Sequence, residues 1–243
     1  MTEAEWLASN EPEAMLRHLG DNGRDRKLRL FTCACCRRIM FLVTDERSRR
    51  AVEIAERLVD GLVSKEGVER AWDDARQAAN DAAAAFEEQD QWDQEEWNAN
   101  AAAECAADAA LQTIHWRYVE YASAPHDDSV IFLGKDAADA IKYSGSQEDL
   151  IAERRAQAVL LRDIFGNPFR PVEANPAWLS WNGRAIPRMA EAIYEERAFD
   201  RLPILADALE EAGCTDAAIL EHCRGPGPHV RGCWVVDLLL GKQ

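Results

Sequence analysis

Apolar residues recur through most of this chain at the three- and four-residue spacing of a helix face, and the predicted fold is all-α, a multi-helix bundle. Thr2 and Glu5 form a capping box that opens a short helix. Asn10 caps a second, with Pro12 in its first turn, Met15, Leu16 and Leu19 along one side and Gly20 as its stop. From Asp25 to about Val43 the apolar positions, among them Leu28, Phe31, Cys33, Cys36, Ile39 and Phe41, cover most of the circumference. That is the pattern of a helix buried at the centre of a core.

Thr44 or Asp45 caps the next helix, which carries Val52, Ala55, Leu58 and Leu62 and frays at Gly61. Two alanine-rich stretches follow, Glu66–Glu88 and Trp92–Ala122. Together they predict a long acidic helical hairpin, turned near Gln89-Asp90-Gln91, whose small side chains allow close approach. Pro125-His126-Asp127-Asp128 is a break, and Val130-Ile131-Phe132-Leu133 fits a strand or a helix. Asp149–Phe165 is a clear amphipathic helix.

Beyond the turn-rich connector Gly166–Pro171, Asn175 caps a short helix. Two more are predicted near Ile186–Glu196 and Leu202–Ala212, and Thr215 caps another that ends at Cys223. An apolar segment, Val230–Leu240, closes the chain. The breaks divide it into an N-terminal helical lobe over 1–123, a connecting region with the amphipathic helix over 124–165, and a C-terminal helical lobe over 166–243. The three can also form one domain.

Composition narrows the class. With 47% apolar and 30% charged residues in 243, the chain can bury a sizeable core. No run approaches the roughly 20 apolar residues that span a bilayer. The first residues are acidic where a secretory signal is basic. Seven cysteines, two of them adjacent at Cys35 and Cys36, read as reduced thiols or metal ligands in a reducing cytoplasm rather than as a disulfide scaffold. The net charge of −16 repels phosphate backbones and anionic membranes, so neither nucleic acid nor a membrane is an expected partner.

Charge is also uneven. Nine basic and three acidic residues lie between Arg24 and Arg50, against 19 acidic and five basic between Ala51 and Asp128. The plainest consequence is that the two segments pack side by side and neutralise each other in part. A basic docking face for an acidic partner is the other consequence open to them.

Three stretches stand out: Asp25–Arg38 with its Cys33-Ala34-Cys35-Cys36-Arg37-Arg38 core, Phe165-Gly166-Asn167-Pro168-Phe169-Arg170-Pro171, and His222–Trp234, which reads His-Cys-Arg-Gly-Pro-Gly-Pro-His-Val-Arg-Gly-Cys-Trp. They resemble motifs of a family of uncharacterised bacterial proteins, and the resemblance covers nearly the whole chain. It implies no activity.

The same stretches hold the chemistry. Cys33 and Cys36 are three apart on one helix, with their thiols on neighbouring turns of one face. Cys223, His229 and Cys233 lie within eleven residues around a proline–glycine loop. Zinc takes four such ligands in a tetrahedron, so Cys33, Cys36, Cys223, His229 and Cys233 are the candidate metal ligands. His222 is an extra ligand or a supporting hydrogen-bond partner. Against this stands the tendency of cysteine to serve as a small buried hydrophobe.

A cysteine beside His222 or His229 could also form a nucleophilic thiolate–imidazole pair. Carboxylate di-metal chemistry needs a Glu-x-x-His, which is missing; Glu221 directly precedes His222. Gly225-Pro226-Gly227-Pro228 is no phosphate loop, because its prolines lack an N–H. Of the eight tryptophans, Trp178 with Trp181 and Trp92 with Trp97 are either core residues or the mark of a partner surface. The expected function is that of a non-enzymatic helical accessory or protein-interaction protein. The alternatives are a zinc-binding structural or regulatory module and an enzyme with a Cys–His site.

Overall fold

A computed structural model describes residues 1–20, 25–87, 94–115 and 134–242. Among them are twelve α-helices and no strand: α1 (Glu3–Ala8), α2 (Pro12–Leu19), α3 (Asp25–Arg38), α4 (Glu46–Leu58), α5 (Lys65–Glu87), α6 (Gln94–His115), α7 (Lys135–Ser144), α8 (Gln147–Phe165), α9 (Pro176–Glu196), α10 (Leu202–Glu211), α11 (Ala217–Arg224) and α12 (Trp234–Leu240). A 3-10 turn, Phe199–Arg201, leads into α10. The fold is all-α. None of the described helices is long and apolar enough to cross a membrane.

The helix starts follow local chemistry. Thr2 and Glu5 make the reciprocal capping box. Asp45, Asn175 and Asp216 each accept backbone amides at the head of α4, α9 and α11. Asp216 takes the cap in place of Thr215, because its carboxylate accepts from both Ala218 and Ile219. Glu11, not Asn10, is the N-cap of α2, and Ser9 Oγ accepts its amide.

The chain divides into two compact units, Met1–Val159 and Leu160–Gln243, with the division inside α8 rather than in the connector at Gly166. In the first unit α5 packs along α6, α6 along α7, and α4 against both α5 and α6. Its core holds Trp6, Met15, Leu28, Phe31 and Ile39, all inaccessible to solvent. The basic α3 is neutralised by its neighbours. Arg37 makes a bidentate pair with the buried Glu56 at 3.0 and 2.7 Å, Arg38 reaches Glu153 at 2.9 Å, and Arg29 donates to the Thr113 carbonyl at 2.7 Å. The acidic and basic segments therefore do pack together.

Three features differ from the sequence pattern. α3 stops at Arg38, and residues 39–42 form turns, although Ile39 and Val43 are buried. Their periodicity reported burial, not helix, and Phe41 is 68% exposed. α7 is a helix the pattern did not resolve; its Ala137, Ala138 and Ala140 are buried. α9 is broken internally: Asn182, Gly183 and Arg184 have φ of 44°, 62° and 67°, which keeps the two predicted helices distinct within one span. The hairpin turn at 89–91, Trp92, the Pro125–Asp128 break and Val130–Leu133 lie outside the described residues.

The second unit is built on one core: Trp178, Ile186, Ile193, Tyr194, Leu205, Leu209, Ile219, Cys223, Val235 and Val236 are among its buried members. Trp178 is thus a core residue, and Trp181 packs against the same cluster. Trp97, in the first unit, meets Tyr143 edge-on at 5.4 Å.

Candidate metal centre

Four side chains of the second unit point their donor atoms at one place. Asp163 comes from the last turn of α8, His222 from α11, His229 from the loop after it, and Cys233 from the N-cap of α12. One ligand atom from each lies within 4.8 Å of all the others. His229 Nδ1 is 2.7 Å from Asp163 Oδ1. His222 Nε2 is 3.2 Å from that same oxygen and 3.2 Å from Cys233 Sγ. This buried Asp–His–His–Cys group could hold a metal ion.

The local sequence explains the convergence. Gly227, at φ +79°, lets the loop fold back tightly, and a Cβ there would sit 3.0 Å from the His229 nitrogen and 3.3 Å from its ring. Only glycine leaves the imidazole that room. Gly166, at φ +65°, plays the same part on the other side, since a Cβ would meet the Trp234 indole at 3.1 Å. The indole lies 5.2 Å from the His222 ring, which in turn packs edge-on to His229 at 4.8 Å.

The outer faces of the donors are engaged as well. Val230 N–H donates to Asp163 Oδ2 at 3.0 Å, which turns Oδ1 toward the histidines. His229 Nε2 faces the Gly225 carbonyl at 3.4 Å, which leaves Nδ1 as the nitrogen directed at Asp163. Both are the supporting bonds that metal-binding carboxylates and imidazoles use to fix their orientation.

Burial and charge oppose each other here. Burial pushes the Asp163 carboxyl up, but hydrogen bonds and charge from His222 and His229 outweigh it and hold it below its ordinary value. Burial pushes His229 down, and the Asp163 hydrogen bond and charge more than reverse it, so its value is raised. The Cys233 thiol is raised well above its ordinary range by burial, although the amides of Val235 and Val236 favour the thiolate.

Of the residues the sequence singled out, the structure brings together His229, Cys233 and the auxiliary His222. Cys223, the residue after His222, is instead buried in the apolar core, and burial pushes its thiol up to about 12. Cys33 and Cys36 belong to the first unit, buried on α3, and are not members of the group. Asp163 is the member of the group that sequence reasoning missed. Its signal was a carboxylate between Leu160 and Ile164 on the buried stripe of an amphipathic helix, 3% exposed.

No family model, no curated protein and no solved structure matches the chain.

Proposed function

We propose that this chain is a helical accessory protein whose C-terminal unit is closed by a structural zinc ion held by Asp163, His222, His229 and Cys233. The observation that carries the reading is the convergence of their four donor atoms within 4.8 Å of one another, from segments up to 70 residues apart in sequence (Asp163 to Cys233). Zinc at 2.0–2.3 Å from each donor sets the donors ~3.3–3.8 Å apart in a tetrahedron. The contacts of 2.7 and 3.2 Å would open, and the widest separation, 4.8 Å, would close by about 1 Å, to accept it. A mixed N, O and S set suits zinc better than the oxygen-seeking magnesium or calcium. Four protein ligands fill the coordination sphere, the mark of a structural rather than a catalytic site.

Nucleophilic catalysis is the weaker reading of the same group. A catalytic triad engages the two nitrogens of its histidine on opposite sides. Here His222 uses one nitrogen, Nε2, toward both Asp163 and Cys233, so the donors meet at a point instead of forming a relay. Cys233 is also wholly inaccessible to solvent.

The test is metal content by mass spectrometry on protein purified without chelators or affinity metals, with cobalt substitution as an independent readout. About one zinc per chain is expected, with a sulfur-to-cobalt charge-transfer band after exchange. Both should be lost in His229→Ala and Cys233→Ala and kept in Cys36→Ala. Metal-free wild type that takes up no cobalt would overturn the reading.

A protein partner is the second reading, supported by the exposed Glu66, Glu69, Asp73, Asp74 and Asp81 along α5. A native pull-down whose captured protein is lost on Asp73→Lys and Asp74→Lys would support it. The free state of all seven cysteines accords with a reducing, cytoplasmic setting.

A further inference from the structure

A cavity of about 210 Å³ lies in the first unit, where the start of α4 meets α5 and α6. Its walls are methyl groups: Ala78 and Ala82 from α5, Ala103 and Ala107 from α6. Its inner end is Ser48, which is wholly buried, and whose Oγ has no hydrogen-bond partner. A buried hydroxyl left unmet costs stability, and nearly all such groups in folded proteins have a partner. The outer end is Asp45 and Asp81, both far more exposed than Ser48.

The charge at that mouth selects the ligand. Arg47 Nη2 bonds Asp45 at 2.7 Å and Asp81 at 2.6 Å, and its Nε adds a bond to Asp45. One guanidinium serving two carboxylates leaves the mouth negative. Among the described residues lining the cavity none is basic, Arg47 is committed to the two carboxylates, and Asp45 already caps α4, so the mouth offers little to an anion. The Arg47 hydrogen bonds hold both carboxyls below their ordinary value, hence ionised at neutral pH. Gln77 donates to Asp81 at 2.8 Å and keeps it in place.

We propose that this cavity binds a short amino alcohol, with its ammonium against the cavity side of the Asp45 and Asp81 carboxylates that Arg47 bridges and its hydroxyl paired with Ser48 Oγ. Asp45 and Ser48 are three residues apart at the head of a helix, which sets their Cβ atoms about 5–6 Å apart. That gap suits a spacer of two or three carbons lying along the alanine methyls. The volume equals roughly seven waters at ~30 Å³ each, enough for such a molecule and a water or two. A diamine fits less well, because its second ammonium would be buried beside an uncharged serine.

The test is calorimetric titration of the full chain with linear aminopropanol at about 0.15 M salt, which screens loose association with the acidic surface. Propylamine, propanol and hydroxypropanoate are the comparison ligands. Saturable one-site binding of aminopropanol is expected, with Kd on the order of 0.1–10 mM for so few atoms. Propylamine should bind about tenfold more weakly, the loss of one hydrogen bond. Propanol and hydroxypropanoate should not bind. Ser48→Ala should retain the fold, since it removes an unmet hydroxyl, and should lower aminopropanol to the propylamine level without changing propylamine. Ala103→Leu should fill the cavity and abolish both.

The proposal fails if aminopropanol does not saturate the wild type. It fails equally if aminopropanol binds no better than propylamine, or if Ser48→Ala leaves the difference intact. Water alone then satisfies Ser48.

Discussion

The Val230 amide donates to Oδ2 of Asp163 across 67 positions of sequence, at 3.0 Å, and leaves Oδ1 as the oxygen that His222 and His229 share. The carboxylate is thus oriented by the loop that carries one of its own partners. Asp163→Asn keeps the size of the side chain and loses the charge. Zinc affinity, measured by competition with a chromophoric chelator, is expected to fall by at least the roughly 10–100-fold seen when groups supporting a metal ligand are lost. An unchanged affinity would remove Asp163 from the ligand set.

Gly227 supports the same site without touching the ion. Gly227→Ala places a methyl 3.0 Å from the His229 nitrogen at a φ that an L side chain rarely adopts. His229 must shift. The expected result is weaker zinc binding with helical content preserved, read by chelator competition beside circular dichroism.

Thiol reactivity separates the metal reading from the nucleophile reading. Burial pushes Cys36 and Cys223 up to about 12, and holds Cys33, Cys35 and Cys233 well above the ordinary thiol value. Against an ordinary value near 8.5, a value of about 12 cuts the thiolate fraction at neutral pH by roughly three orders of magnitude. Native protein should therefore be sluggish toward iodoacetamide at all of these positions. Burial and neighbouring carboxylates push Cys105 up to about 12 as well, so it too should be slow, and as the least buried thiol it should be modified first through access alone. A single fast-reacting Cys233 would instead revive a Cys–His nucleophile.

Core and surface aromatics of the α3 region should behave oppositely. Phe31 is inaccessible and Phe41 is 68% exposed. Phe31→Ala is expected to cost about 3–5 kcal/mol and Phe41→Ala to fall within about 0.5 kcal/mol of wild type, both by chemical denaturation. Equal losses would mean that residues 39–42 are packed like the helix before them.

The Arg47 bridge predicts a pH dependence. Its hydrogen bond, the largest cause, holds Asp45 below the ordinary carboxyl value of 3.8, and it does the same for Asp81. A depressed folded value means stability that is full above 3.8 and lost as pH falls through the folded value. Arg47→Gln should reduce stability at neutral pH and flatten the acid limb below pH ~4. Parallel curves for the two proteins would show that the bridge contributes nothing.

Helix class, most helix spans and the buried identity of α3 were legible in the chain, because apolar spacing and capping residues act within a few positions of each other. Thr2, Asp45 and Asn175 cap their helices through bonds that span two or three residues. Where burial and helix part company the pattern misleads, as at Ile39 and Val43, which are buried outside any helix. The chemistry was only half legible. The His222–Trp234 stretch announced His229 and Cys233 because a short loop holds them together, but it marked Cys223 with equal force. The step of about 100° between neighbours on a helix, not a motif, points that thiol into the apolar core while His222 faces the site. Asp163 was hidden altogether. It is 59 residues before His222 in sequence, and only the tertiary fold puts its carboxylate among the imidazoles. Local sequence sets which residues form helices and which thiols are available; the tertiary fold decides which of them meet, because a ligand set is a relation between segments that no single segment encodes.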